Sequence, residues 1–145
     1  IREIEMKILL VDDDPICLEM LKTVLRRKGH KVLVADNVND AIQTFTDEEL
    51  CGTPFDLIIT DIVMPGKDGG ELMRYVRSRG HCIPMLAITG GFGLADQDDM
   101  NYASFFATET LLKPFNEEQI FQAIQNVALS SKTFETRREL TLQDS

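Results

Sequence analysis

The chain alternates short apolar runs with amphipathic ones along most of its length, and that rhythm leaves few folds open. The apolar runs "KILLV", "KVLVA", "FDLIIT", "IPMLAIT" and "TLLKPF" are separated by "PICLEMLKTVLRRKG", "VNDAIQTFTDEEL", "GGELMRYVRSRG" and "LADQDDMNYASFF", and "EEQIFQAIQNVALSS" follows the last. Five strand-helix pairs result. "LIIT" and "MLAIT" are apolar on both sides, as the central strands of a parallel sheet are when helices cover both faces. Alternation of this kind with right-handed crossovers gives a doubly wound α/β sheet. The first helix is punctuated at both ends: Asp14 is a candidate N-cap or else a solvent-facing acid, Pro15 is expected in the first turn and Gly29 as the stop. Its apolar positions, Ile16, Met20 and Val24 beside Cys17, Leu21 and Leu25, are expected to face the core.

At 145 residues with 43% hydrophobic and 27% charged side chains, the chain can bury a core as one domain without metal or disulfide staples. A formal net charge of -9 argues against a general nucleic-acid or anionic-membrane binder, because either needs a positive field. Cys17, Cys51 and Cys82 form an odd set with no C-x-x-C spacing, which favours a reducing compartment; they are expected to be small buried hydrophobes. No run approaches a membrane span, and "IREIEM" lacks the layout of a signal peptide, so a cytoplasmic location is expected. Residues 1–6 read as an N-terminal extension, 7–130 as the domain, and 131–145 as a tail or linker stump.

In an open parallel sheet, ligands sit outside the carboxyl ends of the strands, where strand order reverses. Those ends supply Asp12 and Asp13 after the first strand, Asp61 after the third, Thr89 after the fourth, and Lys113 with Pro114 after the fifth. No packing rule asks for that set. Three carboxylates are hard oxygen donors suited to Mg²⁺, which keeps several waters and shares its shell readily with a phosphoryl group. A carboxylate can also attack phosphorus to make an aspartyl phosphate, with a metal and a lysine stabilising charge on the transferring oxygens. Asp61 is the natural nucleophile if Asp12 and Asp13 hold the metal, and Thr89 is placed to bond a phosphoryl oxygen.

Together "ILLVDDDP", "DLIITDIVMPGKDG", "MLAITGG" and "LLKPF" make the chain resemble the receiver domains of two-component response regulators, from about Lys7 to Leu129. The resemblance implies a flavodoxin-like (βα)₅ fold with five parallel strands in the order 2-1-3-4-5. It implies that Asp12, Asp13, Asp61 and the backbone carbonyl of Val63 hold Mg²⁺. Asp61 would accept a phosphoryl group from a phosphohistidine on a sensor histidine kinase or histidine phosphotransfer protein, and Thr89 and Lys113 would bind its oxygens. Pro65 and Gly69 would shape the loop after the phosphoacceptor, and Lys113-Pro114 would be a cis peptide. Many receivers carry an aromatic residue three positions before the lysine; here Thr110 stands there. Tyr102, Phe105 and Phe106 read as core or helix-edge residues. A downstream protein partner is expected on the face formed by the fourth helix, fifth strand and fifth helix.

Other features have plainer readings. His30 and His81 follow glycines at predicted turns and are expected at the surface. "GGFGLA" lacks the Lys-Ser/Thr of a nucleotide loop. The run "EEL" and the acids of "DQDD" read as solvated helix faces. Three functions compete: a receiver that switches partner binding and is not a turnover enzyme; a Mg²⁺-dependent phosphohydrolase using an aspartyl phosphate; and a receiver from a larger regulator or hybrid kinase. The hydrolase usually places a second Asp two residues after its nucleophile, where this chain has Val63, so nothing there can protonate a leaving group. No DNA-reading motif is present in the sequence, and direct DNA or membrane binding is not expected.

Overall fold

The computed structural model describes residues 5–62, 64, 69–79, 82–90 and 107–129. In chain order these form β1 (Lys7–Val11), α1 (Pro15–Arg27), β2 (Lys31–Ala35), α2 (Val38–Leu50), β3 (Leu57–Asp61), α3 (Gly69–Ser78), β4 (Met85–Gly90) and β5 (Glu109–Lys113). Residues 117–129 are helical. The strands make one sheet in the order β2-β1-β3-β4-β5, and every neighbouring pair is parallel. The expected flavodoxin-like order is therefore observed. The predicted fourth helix, with Tyr102, Phe105, Phe106 and "DQDD", lies outside the described residues, as do "GGFGLA" beyond Gly90, Val63, Pro65, His81 and the predicted tail.

Successive strand residues point to opposite faces, and the core divides accordingly. Leu9, Val11, Ile58 and Ala87 pack with Phe45 of α2 and Leu72 of α3 on one face. Ile8, Leu10, Ile59 and Ile88 pack with Leu25 of α1 and Ile124 of the 117–129 helix on the other. Central β3 is buried along its whole length, whereas the edge strands β2 and β5 are partly exposed, β5 in regular alternation. That is the burial expected of a sheet covered on both faces.

Local signals shape the ends of α1 as expected. Asp14 caps it, its carboxylate accepting the Ile16 N–H at 3.0 Å, and Gly29 leaves the helix at φ 91°.

Four sequence expectations need correction. Ile16 and Met20 are 80% and 47% exposed rather than in the core. The sheet is covered by the row through Leu21 and Leu25. The neighbouring row enters the core only at Val24 and otherwise borders a shallow groove shared with Glu117. The cysteines are not buried hydrophobes: Cys51 caps the end of α2 and Cys82 lies in the connection into β4, both exposed, while Cys17 is half-buried. His30 is not a free surface residue. The turn after α1 returns it to Met6, whose N–H it accepts on Nδ1 at 3.1 Å. Glu48 of "EEL" is not simply solvated, because it pairs with Lys7 and accepts the Thr53 hydroxyl. These bonds hold its carboxyl below the usual range, the Lys7 contact most of all.

Candidate functional site

The carboxyl ends of β1, β3 and β5 meet at one rim. β1 delivers Asp12, which is fully buried, and Asp13, which is exposed; β3 ends on Asp61, 7% exposed. One carboxylate oxygen from each of the three lies within 4.8 Å of those of the other two. Lys113, the last residue of β5, places its ammonium 3.1 Å from Asp12 Oδ2 and 3.2 Å from Asp61 Oδ2. Asp12 is held from the other side as well, since its Oδ1 accepts the Asp14 N–H at 2.9 Å.

Charge explains why two carboxylates can be buried here. A buried acid is tolerated when it is paired and hydrogen-bonded, and Lys113 serves both Asp12 and Asp61. Burial alone would lower the Lys113 pKa. The hydrogen bond to Asp12 and the charges of Asp61 and Asp12 outweigh that and hold it above its ordinary value. Cys17 feels the same field: burial, then its bond to Asp12 and the neighbouring acids, push its thiol up to about 12.

Among the described residues of this cluster, three carboxylates and one ammonium sum to a net charge of two negatives. All three donors are hard oxygens, and in an octahedral shell with bonds of about 2.0–2.1 Å neighbouring ligand oxygens stand roughly 3 Å apart. The observed cluster is close enough for one small dication to draw together, so the residues fit the Mg²⁺ that the fold family implies.

Of the remaining forecast residues, Thr89 is 3% exposed near the end of β4. It stands one residue beyond Ile88, the partner of Asp61, and one before Gly90, the partner of Lys113. The Lys113-Pro114 peptide is cis. Gly69 abuts the backbone of Asp61: a Cβ there would stand 2.1 Å from the Asp61 carbonyl oxygen. Thr110 is exposed on β5 opposite Ala87 and is not part of this cluster. Two neighbours were missed in the sequence. Cys17 contacts Asp12 from α1, and the Thr60 hydroxyl donates to the Asp61 carbonyl at 2.9 Å. The only available signal for Thr60 was one hydroxyl in the otherwise apolar "LIIT".

Fold and rim together define a doubly wound α/β domain with an acidic, lysine-bridged pocket at its switch point. The family model "Response regulator receiver domain" matches residues 8–125, and the chain belongs to that family. It is 29% identical over 136 residues to the transcription factor SKN7 of Candida albicans, covering 94% of this chain and 23% of that protein. It is 32% identical over 123 residues to the sensor histidine kinase GacS of Pseudomonas protegens, covering 81% of this chain and 13% of that one. It thus spans less than a quarter of either relative. Among solved structures, a response regulator receiver domain protein from Clostridium thermocellum superposes with a TM-score of 0.75 at 28% identity, covering 88% of this chain and 98% of that one. Chemotaxis protein CheY4 of Vibrio cholerae superposes at 0.73 with 27% identity, covering 86% and 99%.

Proposed function

We propose that the chain accepts a phosphoryl group on Asp61 from a phosphohistidine and so switches the binding of a downstream protein. The observation that supports this best is Lys113 bridging Asp12 and Asp61 beside a third carboxylate, Asp13. In the transfer an Asp61 oxygen attacks phosphorus, the P–O bond forms as the P–N bond breaks, and the imidazole leaves with the bonding pair and takes up a proton. Lys113 faces the charge that develops on the phosphoryl oxygens, and Thr89 donates its hydroxyl to one of them. Asp12, Asp13, Asp61 and the Val63 carbonyl would hold Mg²⁺, which supplies charge neutralisation at those oxygens. The chain's own residues promote its modification, and it is not a turnover enzyme.

The donor on this reading is a sensor histidine kinase or a histidine phosphotransfer protein on the cytoplasmic side. The downstream partner is assigned to the face that includes β5, where Thr110 and Leu112 are exposed. Among the described residues no helix is long and apolar enough to cross a membrane. Acetyl phosphate with Mg²⁺ should add one phosphoryl group, read by intact-mass spectrometry, and Asp61→Asn should abolish the gain. A gain that persists in Asp61→Asn overturns the assignment.

A further inference from the structure

Thr60 is fully buried in β3, directly before Asp61. Its register partners are Val11 of β1 and Ala87 of β4, both in the core between the sheet and the α2–α3 layer. Because strand side chains alternate, Thr60 points away from the face that Asp61 occupies. A hydroxyl in that apolar layer needs a partner, and Thr60 Oγ1 donates to the Asp61 carbonyl oxygen at 2.9 Å.

That carbonyl belongs to the peptide joining Asp61 to Ile62, and the other end of the same peptide is also tied. The Ile62 N–H donates to the Ile88 carbonyl of β4 at 3.0 Å. Gly69 packs against the carbonyl and donates its own N–H to the Ile62 carbonyl at 2.8 Å. The peptide that leaves the acidic residue is therefore gripped at its N–H and at its oxygen. Its orientation sets ψ of Asp61, and with the fixed strand on the other side it sets where the carboxylate stands relative to Lys113.

We propose that Thr60 is a positioning residue for Asp61, acting from the opposite face of the sheet by fixing the Asp61–Ile62 peptide through its hydroxyl. It touches neither phosphoryl group nor metal. The inference rests on the proposal that Asp61 is the phosphoacceptor, and its test separates the two.

Thr60→Val keeps the branched shape and removes the donor, whereas Thr60→Ser keeps the donor and removes the methyl. With acetyl phosphate at saturating Mg²⁺, Thr60→Val should take up the phosphoryl group about tenfold more slowly than wild type, as a small misplacement of a reacting group predicts. Thr60→Ser should restore the rate although it lowers the melting temperature by opening a small cavity. A merely structural Thr60 predicts the reverse order, with serine the worse substitution. The proposal is overturned if valine reacts at the wild-type rate or if serine is as slow as valine. If wild type takes no phosphoryl group, the phosphoacceptor reading fails alone, and amide exchange at Ile62 decides the inference. Faster exchange in Thr60→Val than in wild type and Thr60→Ser supports it, and equal exchange in all three overturns it.

Discussion

The ammonium of Lys113 lies 3.2 Å from a carboxylate oxygen of Asp61 across 52 residues of sequence. The same nitrogen reaches Asp12 at 3.1 Å. Parallel pairing makes this contact: β5 lies beside β4 and β4 beside β3, with all carboxyl ends on one side. Lys113 is thus the resident cation of an acidic pocket, and a divalent ion bound there would compete with it for the same oxygens.

Replacing Lys113 by Met should therefore move two measurements in opposite directions. Mg²⁺ should bind more tightly by calorimetry, because the ammonium no longer competes for Asp12 and Asp61. Phosphoryl uptake should slow by about a hundredfold for want of a charge facing the transferring group. The folded-state pKa of Lys113 is raised above 10.5, so its contribution to stability is fully present below that pH and fades as pH rises through the folded value. Denaturation profiles of wild type and Lys113→Met should run parallel near neutrality and converge only in strong alkali. Weaker Mg²⁺ binding in the variant would contradict the competition.

The acidic run divides its work by position. Asp14 caps α1 while Asp13 joins the carboxylate cluster. Asp14→Ala should cost about 1 kcal/mol in chemical denaturation and leave Mg²⁺ affinity unchanged, since the Asp14 N–H that holds Asp12 remains. Asp13→Ala should weaken Mg²⁺ on the order of tenfold or more by removing a direct oxygen ligand. Equal losses of affinity would show that the two roles are misassigned.

Ile16 stands in the first turn of α1, just past the acidic run, with 80% of its surface in solvent. A donor protein delivering a phosphohistidine to Asp61 has to cover that rim, whereas acetyl phosphate does not. Ile16→Glu should slow transfer from a phosphorylated histidine protein by about tenfold, the effect of losing one apolar anchor from an interface. The rate with acetyl phosphate should stay as in wild type. Equal rates with the protein donor would place the docking surface elsewhere.

The sheet was legible in the sequence because central strands must be apolar on both faces, and "LIIT" and "MLAIT" have no other simple home. Asp12, Asp13, Asp61 and Lys113 were legible because the carboxyl ends of parallel strands share one rim. The exposure of Ile16 and Met20 was not. Helical spacing marks an apolar stripe, but the width of the covered stripe depends on where neighbouring elements end. His30 and Glu48 escaped for a similar reason, since their partners Met6 and Lys7 lie 24 and 41 residues away in sequence. Thr60 was hidden because its partner is a main-chain atom, which leaves no mark in residue identity.

Gly69 offers the sharpest test of how tightly the backbone around Asp61 is held. A Cβ at this position would meet the Asp61 carbonyl oxygen at 2.1 Å, the carbonyl carbon at 3.0 Å and Ile62 Cα at 3.1 Å, all backbone atoms that no rotamer change can move aside. Gly69→Ala must therefore push α3 away from β3 or twist the Asp61–Ile62 peptide, and overpacking of this sort costs roughly 1–3 kcal/mol. Gly29 is the natural control. Its φ of 91° penalises alanine by about 1–2 kcal/mol, yet nothing lies within 4 Å of where a Cβ would go, and it closes α1 at the opposite end from Asp14. Both variants should lose comparable stability in urea. Only Gly69→Ala should also slow phosphoryl uptake and weaken Mg²⁺ binding, compared under conditions where each protein is fully folded. Wild-type uptake by folded Gly69→Ala would mean that Asp61 tolerates movement of its own peptide, and the contact would then matter for packing alone.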